Sequence, residues 1–423
     1  MPNIFALGVT GYIGGDAFVT INQQHPEYEW TFLVRNPESV AALPKQYPNA
    51  KAVHGDLDSY DLIVEEASKA DVVFNWADAD HPGAATAIAA GLKRRATPAF
   101  LIHTSGAGIL TVTDIHNAAF GTESSTLYDD WDGVSAVTSL PDDAAHRDVD
   151  KIVLAASAES PPIRTAIVCP PCIYGEGRGP AKRRSIQVPR LVRCALQRGK
   201  GFRLGGGRNR WRNVHVADLS NVYLRLVEEA AKPDGGCATW GAEGYYFAES
   251  GEHYWGDVAA AVAREACRAG LFKTAEVDEL GLDEVDAMDG RGKYLWGTNS
   301  RHVAVRAKKV LGWQLTGLPS LEAEIPRAVE AEAEDMNFPV QVVNNIIIDN
   351  NNSNDPSRDS PSSPIIRSLP ARQKAQNRAA QRTFRERRER QVTELEERVK
   401  DMEARWDGLQ HEVVERILAF NVK

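Results

Sequence analysis

The sequence predicts an α/β protein with a doubly wound parallel sheet and a small substrate region, followed by a disordered linker and a long C-terminal helix. Three observations predict this order. Short apolar segments alternate with helical segments in the first third of the chain, which is typical of a parallel sheet covered by helices. Asn, Ser, Asp and Pro dominate residues 344–364, a composition typical of linkers. Beyond residue 371, Gly408 is the only glycine, proline is absent, and charges recur at helical spacing.

The predicted elements follow from hydrophobic periodicity and chain breakers. Strands are predicted at residues 3–7, 28–34, 50–54, 71–76, 99–104, 163–168 and 245–248. Helices are predicted from the glycine-rich segment to about residue 25 and at 59–70, 83–95, 143–159, 217–231 and 253–270. Residues 175–213, rich in Gly and Arg, are predicted to form loops. The predicted domains are 1–332, a linker at 333–370, and the C-terminal helix at 371–423.

Composition and charge exclude several classes of protein. With 423 residues, 43% hydrophobic and 25% charged, the chain can bury a large core. It contains no run of eighteen apolar residues, so neither a membrane span nor a membrane partner is expected. Cys169 and Cys172 match a CxxC spacing, but the two prolines between them favour a chain bend over a metal or redox site.

The charge is distributed unevenly along the chain. Residues 371–423 contain 13 Lys and Arg against 10 Asp and Glu, a net charge of +3. The whole chain carries −9, so residues 1–370 carry −12. An acidic body with a basic arm indicates a polyanion partner for the arm.

A glycine-rich segment, GVTGYIGG at residues 8–15, follows the first predicted strand and begins a helix. Gly8 permits a tight turn, Gly11 lets the backbone approach a pyrophosphate, and Gly14 lets helix and strand pack closely. The helix N-terminus offers free N–H groups to the phosphates. The alternative is an ordinary turn. The pattern predicts a dinucleotide site formed by Gly8, Thr10, Gly11, Tyr12, Ile13 and Gly14.

The residue at the end of the second strand bears on which dinucleotide binds. An acidic residue there would bind the ribose 2′-hydroxyl of NAD. The strand instead ends at Arg35, a cation suited to a 2′-phosphate. NADP(H) is therefore favoured over NAD(H), and the alternative is an ordinary surface arginine.

Residues 1–330 resemble the extended or atypical short-chain dehydrogenase/reductase superfamily, near its NmrA-like and epimerase/dehydratase branches. The motifs that carry the resemblance are GVTGYIGG, HGDLDS, FNWAD, HTSGAG, PPCIYGEG and RNVHVADLS. The resemblance implies a Rossmann fold and a small carbonyl or sugar-nucleotide-like substrate. It implies that Asp56 and Leu57 flank the adenine, that Asn75 and Ala77 line the cofactor, and that Ser105 is the catalytic serine.

The Tyr-x-x-x-Lys motif expected from this resemblance is incomplete. Lys151 stands at the lysine position, where it would hold the nicotinamide ribose, but Arg147 stands at the tyrosine position. Arginine cannot give up its proton near neutral pH. Either Tyr128 or His146 supplies the proton, or the domain binds cofactor without turnover. The arginines from Arg178 to Arg212 either bind an acidic substrate or lie in a solvated loop.

The C-terminal segment combines a mixed polar face with a heptad repeat. On a helix, one face carries Asn377, Ala380, Gln381, Phe384 and Arg385, residue types suited to DNA base edges. In phase with it, apolar residues recur at a and d positions, which predicts a homo- or heterodimeric zipper. These residues are Val392, Leu395, Val399, Met402, Trp406, Leu409 and Val413.

NRAAQRTFR at residues 377–385, followed by the zipper, resembles the fungal bZIP transcription factors of the Yap/Pap group. The resemblance implies that Gln376 also faces the bases and that the protein acts in the nucleus on double-stranded DNA. Three hypotheses remain for the whole chain. It is a transcription regulator whose Rossmann domain binds NADP(H); or a cytoplasmic NAD(P)-dependent oxidoreductase or epimerase with an incidental bZIP arm; or two neighbouring reading frames joined near residues 341–364.

Overall fold

The computed structural model describes residues 1–160 and 162–338. The predicted linker beyond residue 338 and the whole predicted bZIP helix, with its DNA-binding and dimerisation residues, lie outside these ranges. Strands and helices alternate in the first half of the chain. Its elements are β1 (Asn3–Leu7), α1 (Tyr12–Gln24), β2 (Glu29–Val34), α2 (Pro37–Gln46), β3 (Ala50–His54), α3 (Tyr60–Lys69), β4 (Val72–Asn75), α4 (Pro82–Leu92), β5 (Ala99–Thr104), α5 (Val112–His116), β6 (Tyr128–Asp129), α6 (Val134–Thr138), α7 (Arg147–Glu159) and β7 (Ile163–Cys169).

The second half of the described chain contains shorter strands and longer connections. Its elements are β8 (Cys172–Tyr174), α8 (Gln187–Arg198), β9 (Gly201–Leu204), β10 (Arg210–His215), α9 (Val216–Ala230), β11 (Tyr245–Phe247), β12 (Gly251–Tyr254), α10 (Trp255–Arg268), β13 (Val277–Leu280), α11 (Leu282–Met288), α12 (Gly292–Gly297), β14 (His302–Val303), α13 (Arg306–Val310) and α14 (Leu321–Asp335).

Seven parallel strands form the main sheet in the order β11-β7-β5-β4-β1-β2-β3. This confirms the predicted doubly wound α/β class. The strand order reverses around β1, which pairs with β2 on one side and β4 on the other. All six residues of β5 are buried, as expected for a strand covered by helices on both faces. Ligands of such sheets bind at the carboxyl ends of the strands near this reversal.

A second, smaller hydrophobic core lies apart from the sheet and corresponds to the predicted substrate region. It is built largely from α8, α10, α14 and the short strands near them, and Phe202, Trp255 and Trp296 are buried in it. The prediction of loops at 175–213 was wrong, because α8, β9 and β10 lie there. The signal was present: the apolar residues of α8 recur at helical spacing, but arginines between them mask the pattern. They are Val188, Leu191, Val192 and Ala195.

The arginines of this region bind carboxylates of the same chain. Arg193 contacts the buried Glu332 at 2.7 Å, and Arg210 contacts Glu123 at 2.6 Å. Further pairs join Arg178, Arg183, Arg184, Arg190, Arg198, Arg203, Arg208 and Arg212 to Asp or Glu residues. These arginines are therefore paired within the chain itself, while side chains such as Arg193 and Arg208 remain about half exposed or more.

The last described helix crosses the predicted boundary at residue 332. α14 continues to Asp335, and Phe338 packs against the second core, so the linker predicted from residue 333 begins inside a helix. Among the described residues, no helix is long and apolar enough to cross a membrane.

Candidate functional site

The glycine-rich segment forms the turn between β1 and α1. Gly8 has a φ of +89°, and a Cβ there would lie 2.6 Å from the Ala77 nitrogen. A Cβ on Gly14 would lie 2.8 Å from Cβ of Trp76. The turn therefore lies directly against the segment that follows β4. Gly11 is the N-cap of α1, and no side chain of the described residues caps this helix. The N–H groups of its first turn can donate hydrogen bonds to a pyrophosphate.

The other residues predicted to bind the cofactor follow neighbouring strands of the sheet. Arg35 follows β2, Asp56 and Leu57 follow β3, and Asn75 ends β4. Because these strands are parallel, their carboxyl ends lie at one edge. Arg35 and Asp56 are exposed, and a hydrogen bond from Ser59 lowers the pKa of Asp56.

This arrangement fits a nicotinamide dinucleotide. The uncapped helix suits the pyrophosphate, and the buried side-chain oxygen of Asn75 has no hydrogen-bond partner among the described residues, so it can accept one from a ligand. Thr10, Tyr12 and Ile13 lie in the same turn and the first residues of α1. The Tyr12 hydroxyl donates to the Gly175 carbonyl at 2.7 Å, which ties the turn to the segment after β8.

Ser105 follows β5 and lies on a buried carboxyl group. Its Oγ donates to Asp150 Oδ2 at 3.0 Å, and the Tyr245 hydroxyl donates to the same oxygen at 3.1 Å. His103 Nε2 lies 3.7 Å from Asp150 Oδ1, and His103 Nδ1 lies 3.1 Å from Asn75 Nδ2. Burial raises the pKa of Asp150 to about 7 and lowers the pKa of His103 to about 3.

The helix α7 carries the incomplete motif, but neither Lys151 nor Arg147 points toward Ser105. The Lys151 ammonium donates to Asp142 at 2.8 Å, and its side chain is 49% exposed. The Arg147 guanidinium donates to the carbonyls of Thr138 and Leu140. The structure thus does not bring Lys151 to Ser105. The guanidinium of Arg147 is engaged by backbone carbonyls and does not reach Ser105 either. Successive residues of a helix point about 100° apart, so the neighbouring Asp150 faces Ser105 where Lys151 was expected.

His146, four residues before Asp150, is the N-cap residue of α7 and has a left-handed backbone conformation. Its Nδ1 is 2.6 Å from Asp80 Oδ1. A Cβ on Gly106 would lie 2.9 Å from His146 Nε2, so the imidazole covers the segment after Ser105. The hydrogen bond with His146 lowers the pKa of the Asp80 carboxyl group. An accessible imidazole held by a carboxylate can exchange protons with a ligand.

Tyr128, the other predicted proton donor, lies on β6, which pairs with β14. It is half-buried, and burial raises its pKa. Within the described ranges no hydrogen bond joins it to Ser105, Asp150 or His146. The structure therefore does not place it with the buried carboxyl group.

A buried carboxylate anchors the segment beyond β8 to α1. Asp16 is fully buried and accepts hydrogen bonds from Arg178 Nη2 at 2.7 Å and Ser220 Oγ at 2.6 Å. Burial alone would raise its pKa, but these hydrogen bonds lower it below the usual value. The segment thereby lies beside the glycine-rich turn, where the Lys182 N–H donates to the Thr10 carbonyl.

Cys169 and Cys172 are both buried, and burial raises the pKa of Cys172 to about 12. Such thiols are unreactive near neutral pH. The described part of the chain contains no group of three His, Cys, Asp or Glu side chains that could hold a metal ion.

Sequence reasoning missed four side chains of this site: Asp80, His103, Asp150 and Tyr245. A signal existed for Asp150. His146 and Asp150 have the same i and i+4 spacing as the Tyr-x-x-x-Lys motif, which would occupy positions 147 and 151. None existed for Tyr245, which reaches Asp150 because β11 pairs with β7 at the sheet edge.

Two families match different parts of the chain. Residues 125–237 match the NAD dependent epimerase/dehydratase family, and residues 370–415 match the bZIP transcription factor family. The oxidase ucsJ of Acremonium sp is 37% identical over 340 residues, which are 78% of this chain and 97% of that protein. An uncharacterized protein of Schizosaccharomyces pombe is 25% identical over 53% of this chain and 70% of its own length.

Solved structures share the fold. A dTDP-glucose 4,6-dehydratase of Bacillus anthracis, in complex with NAD, has a TM-score of 0.55 at 17% identity, over 79% of this chain and 97% of that chain. A UDP-glucose 4-epimerase of Thermotoga maritima, with UDP-glucose, has a TM-score of 0.53 at 14% identity, over 79% of this chain and 99% of that one. The resemblances to epimerase/dehydratase-type short-chain dehydrogenases/reductases and to bZIP transcription factors are thus confirmed. The chain belongs to the family of the oxidase ucsJ, with a domain of the epimerase/dehydratase type of short-chain dehydrogenase/reductase, and it also carries a bZIP segment.

Proposed function

We propose that residues 1–338 bind a nicotinamide dinucleotide and oxidise or reduce a substrate at a carbon that bears a hydroxyl or carbonyl oxygen. One observation carries this proposal: the uncapped glycine-rich turn and the Ser105–Asp150 contact lie at the same edge of one parallel sheet. The name oxidase given to the relative at 37% identity supports a redox reaction.

Different residues of the chain bind the cofactor and the substrate. The glycine-rich turn binds the pyrophosphate, and Asn75 offers its free oxygen to the cofactor. Once bound, the nicotinamide ring supplies the hydride chemistry. Ser105 holds the substrate oxygen by a hydrogen bond. The imidazole of His146, fixed by Asp80, lies against Gly106, the residue after Ser105. The class of substrate follows from this chemistry as a secondary alcohol or ketone, with a sugar nucleotide as one candidate.

The cofactor preference is the first test. Titration of the full-length protein with NADPH and NADH, followed by nucleotide fluorescence, should show tighter binding of NADPH. Arg35→Ser should weaken NADPH binding roughly 10- to 100-fold, because a charge-assisted hydrogen bond to the 2′-phosphate is worth roughly 1.5–3 kcal/mol. NADH binding should not change, which provides the internal control. Equal affinities in the wild type would remove the NADPH preference, and binding of neither nucleotide would refute the function.

We further propose that the C-terminal segment binds double-stranded DNA as a bZIP dimer in the nucleus. The match of residues 370–415 to bZIP transcription factors supports this, as does the mixed face that includes Asn377 and Gln381. A transcript that spans residues 330–375 is the condition for both functions to reside in one protein. A regulatory link, in which nucleotide binding alters DNA binding, is then a testable extension of the two.

In an electrophoretic mobility assay, the full-length protein should retard a palindromic bZIP site. Asn377→Ala should weaken this complex about tenfold or more, since a bidentate base contact is worth roughly 1–3 kcal/mol. Val422→Ala, beyond the family match, is the matched control and should leave the shift unchanged. Absence of any shift at moderate salt would contradict DNA binding.

A further inference from the structure

Three buried polar atoms behind Ser105 have no hydrogen-bond partner among the described residues. They are Oδ1 of Asp150, Nε2 of His103 and Oδ1 of Asn75. All three residues are at most 2% exposed, and each unpartnered buried polar atom costs stability. His103 contacts both of the other residues: its Nε2 is 3.7 Å from Asp150 Oδ1, and its Nδ1 is 3.1 Å from Asn75 Nδ2.

The donors around Asp150 follow from the contact between Asn75 and His103. The Asn75 amide nitrogen donates to His103 Nδ1, so the neutral ring carries its proton on Nε2, which faces Oδ1 of Asp150. With Ser105 and Tyr245, His103 is thus one of three neutral donors that face the carboxyl group, and within the described ranges no Lys or Arg forms an ion pair with it. A buried carboxyl group without a paired cation takes up a proton more readily than an exposed one.

The other oxygen of the same carboxyl group contacts Ser105, the residue proposed to bind the substrate oxygen. Asp150 Oδ2 accepts the Ser105 hydroxyl at 3.0 Å. We propose that Asp150 is the proton reservoir of the reaction, acting through the hydroxyl of Ser105. Asp150 touches Ser105 and not the substrate, so its effect is to hold and move the proton of that hydroxyl. This inference rests on the proposed redox function and deepens it.

The step balances as follows for oxidation of an alcohol. The substrate O–H bond breaks and its proton passes to Ser105 Oγ, while the Ser105 O–H bond breaks and its proton passes to Oδ2 of ionised Asp150. The electron pair of the substrate C–H bond leaves as a hydride to the oxidised nicotinamide nucleotide, which is the oxidant. A carbonyl forms in the substrate, and reduction runs in the opposite direction.

The groups around Asp150 favour its titration near neutral pH. His103 of β5 and Ser105 directly after it face the carboxyl, as do Tyr245 from β11, Arg147 from α7 and the N-cap residue His146. The Cys169 thiol of β7 lies near Tyr245. Burial raises the pKa of the carboxyl to about 7, against the lowering by hydrogen bonds from Ser105 and Tyr245. The reservoir can therefore be filled and emptied at physiological pH.

Proton release on nucleotide binding tests the inference without a known substrate. The oxidised nicotinamide ring is positively charged and the reduced ring is neutral, so a carboxyl linked to it through Ser105 ionises when the oxidised nucleotide binds. Addition of NADP⁺ to the weakly buffered full-length protein near pH 7 should release up to about one proton per site, and NADPH should release far less. Asp150→Asn should abolish the difference while nucleotide binding and the circular dichroism spectrum persist.

Two further variants separate the alternatives. Tyr245→Phe removes one hydrogen bond that lowers the pKa of Asp150, so the pH of maximal release should move upward. His116→Ala, which breaks an exposed pair with Asp143 outside the proposed site, should retain the release. Undiminished release from Asp150→Asn, loss of release in His116→Ala, or nucleotide binding without release in the wild type would each overturn the inference alone. Failure of the wild type to bind either nucleotide would overturn the proposed function and the inference together.

Discussion

Gly8→Ala is expected to abolish NADPH binding and to lower the free energy of unfolding by roughly 2–5 kcal/mol. Gly8 has a φ of +89°, which an L-residue rarely adopts. Its added Cβ would also lie 2.6 Å from backbone atoms of Trp76 and Ala77. Either the turn or the segment after β4 must move, and both belong to the proposed cofactor site. Chemical denaturation and NADPH fluorescence measure the two effects.

Gly199→Ala is the matched control for this prediction. Gly199 also has a positive φ, +76°, but a Cβ there would meet nothing within 4 Å. It should therefore show the cost of the backbone conformation alone, about 1 kcal/mol, with unchanged NADPH binding. If Gly8→Ala proved no more destabilising than Gly199→Ala, the close approach of Gly8 to Trp76 and Ala77 would be disproved.

Asp16→Ala should lower the free energy of unfolding by about 3 kcal/mol. The change leaves Ser220 without its acceptor and Arg178 without its carboxylate, and both contacts are buried or half-buried. Because Asp16 holds the segment after β8 beside the glycine-rich turn, NADPH binding should weaken as well. Glu65→Ala, which breaks an exposed pair with Lys69, is the control and should leave stability within error of the wild type.

The same carboxylate predicts an acid dependence. The pKa of Asp16 is lowered from 3.8 in the folded protein, so the folded state holds fewer protons than the unfolded state. Its stabilisation is present above the unfolded pKa and is lost as the pH falls through the lower folded pKa. The denaturation midpoints of the wild type and Asp16→Ala should therefore approach each other only as the pH falls below about 4. Curves that stay parallel below pH 4 would refute the role of Asp16 as an ionised anchor.

The fold of the parallel α/β domain was largely predictable because its signals are local. The strands before residue 105 and the glycine turn follow from apolar runs and from glycines whose spacing the turn geometry requires. α8 was missed because arginines interrupt its apolar face, and those arginines find their carboxylates far away in sequence, as Arg193 finds Glu332. Such pairings have no signature within a short window of sequence.

By itself, the sequence determined a parallel α/β domain with a glycine-rich dinucleotide turn and, beyond residue 370, a bZIP segment, because periodicity and short motifs encode each. The tertiary structure alone decided which side chains meet at Ser105. A one-residue step along α7 turns Lys151 toward Asp142 and Asp150 toward Ser105. The pairing of β11 with β7 brings Tyr245 to the same carboxyl. Helix rotation and strand order set these contacts, and both depend on packing across the whole domain rather than on neighbours in the chain.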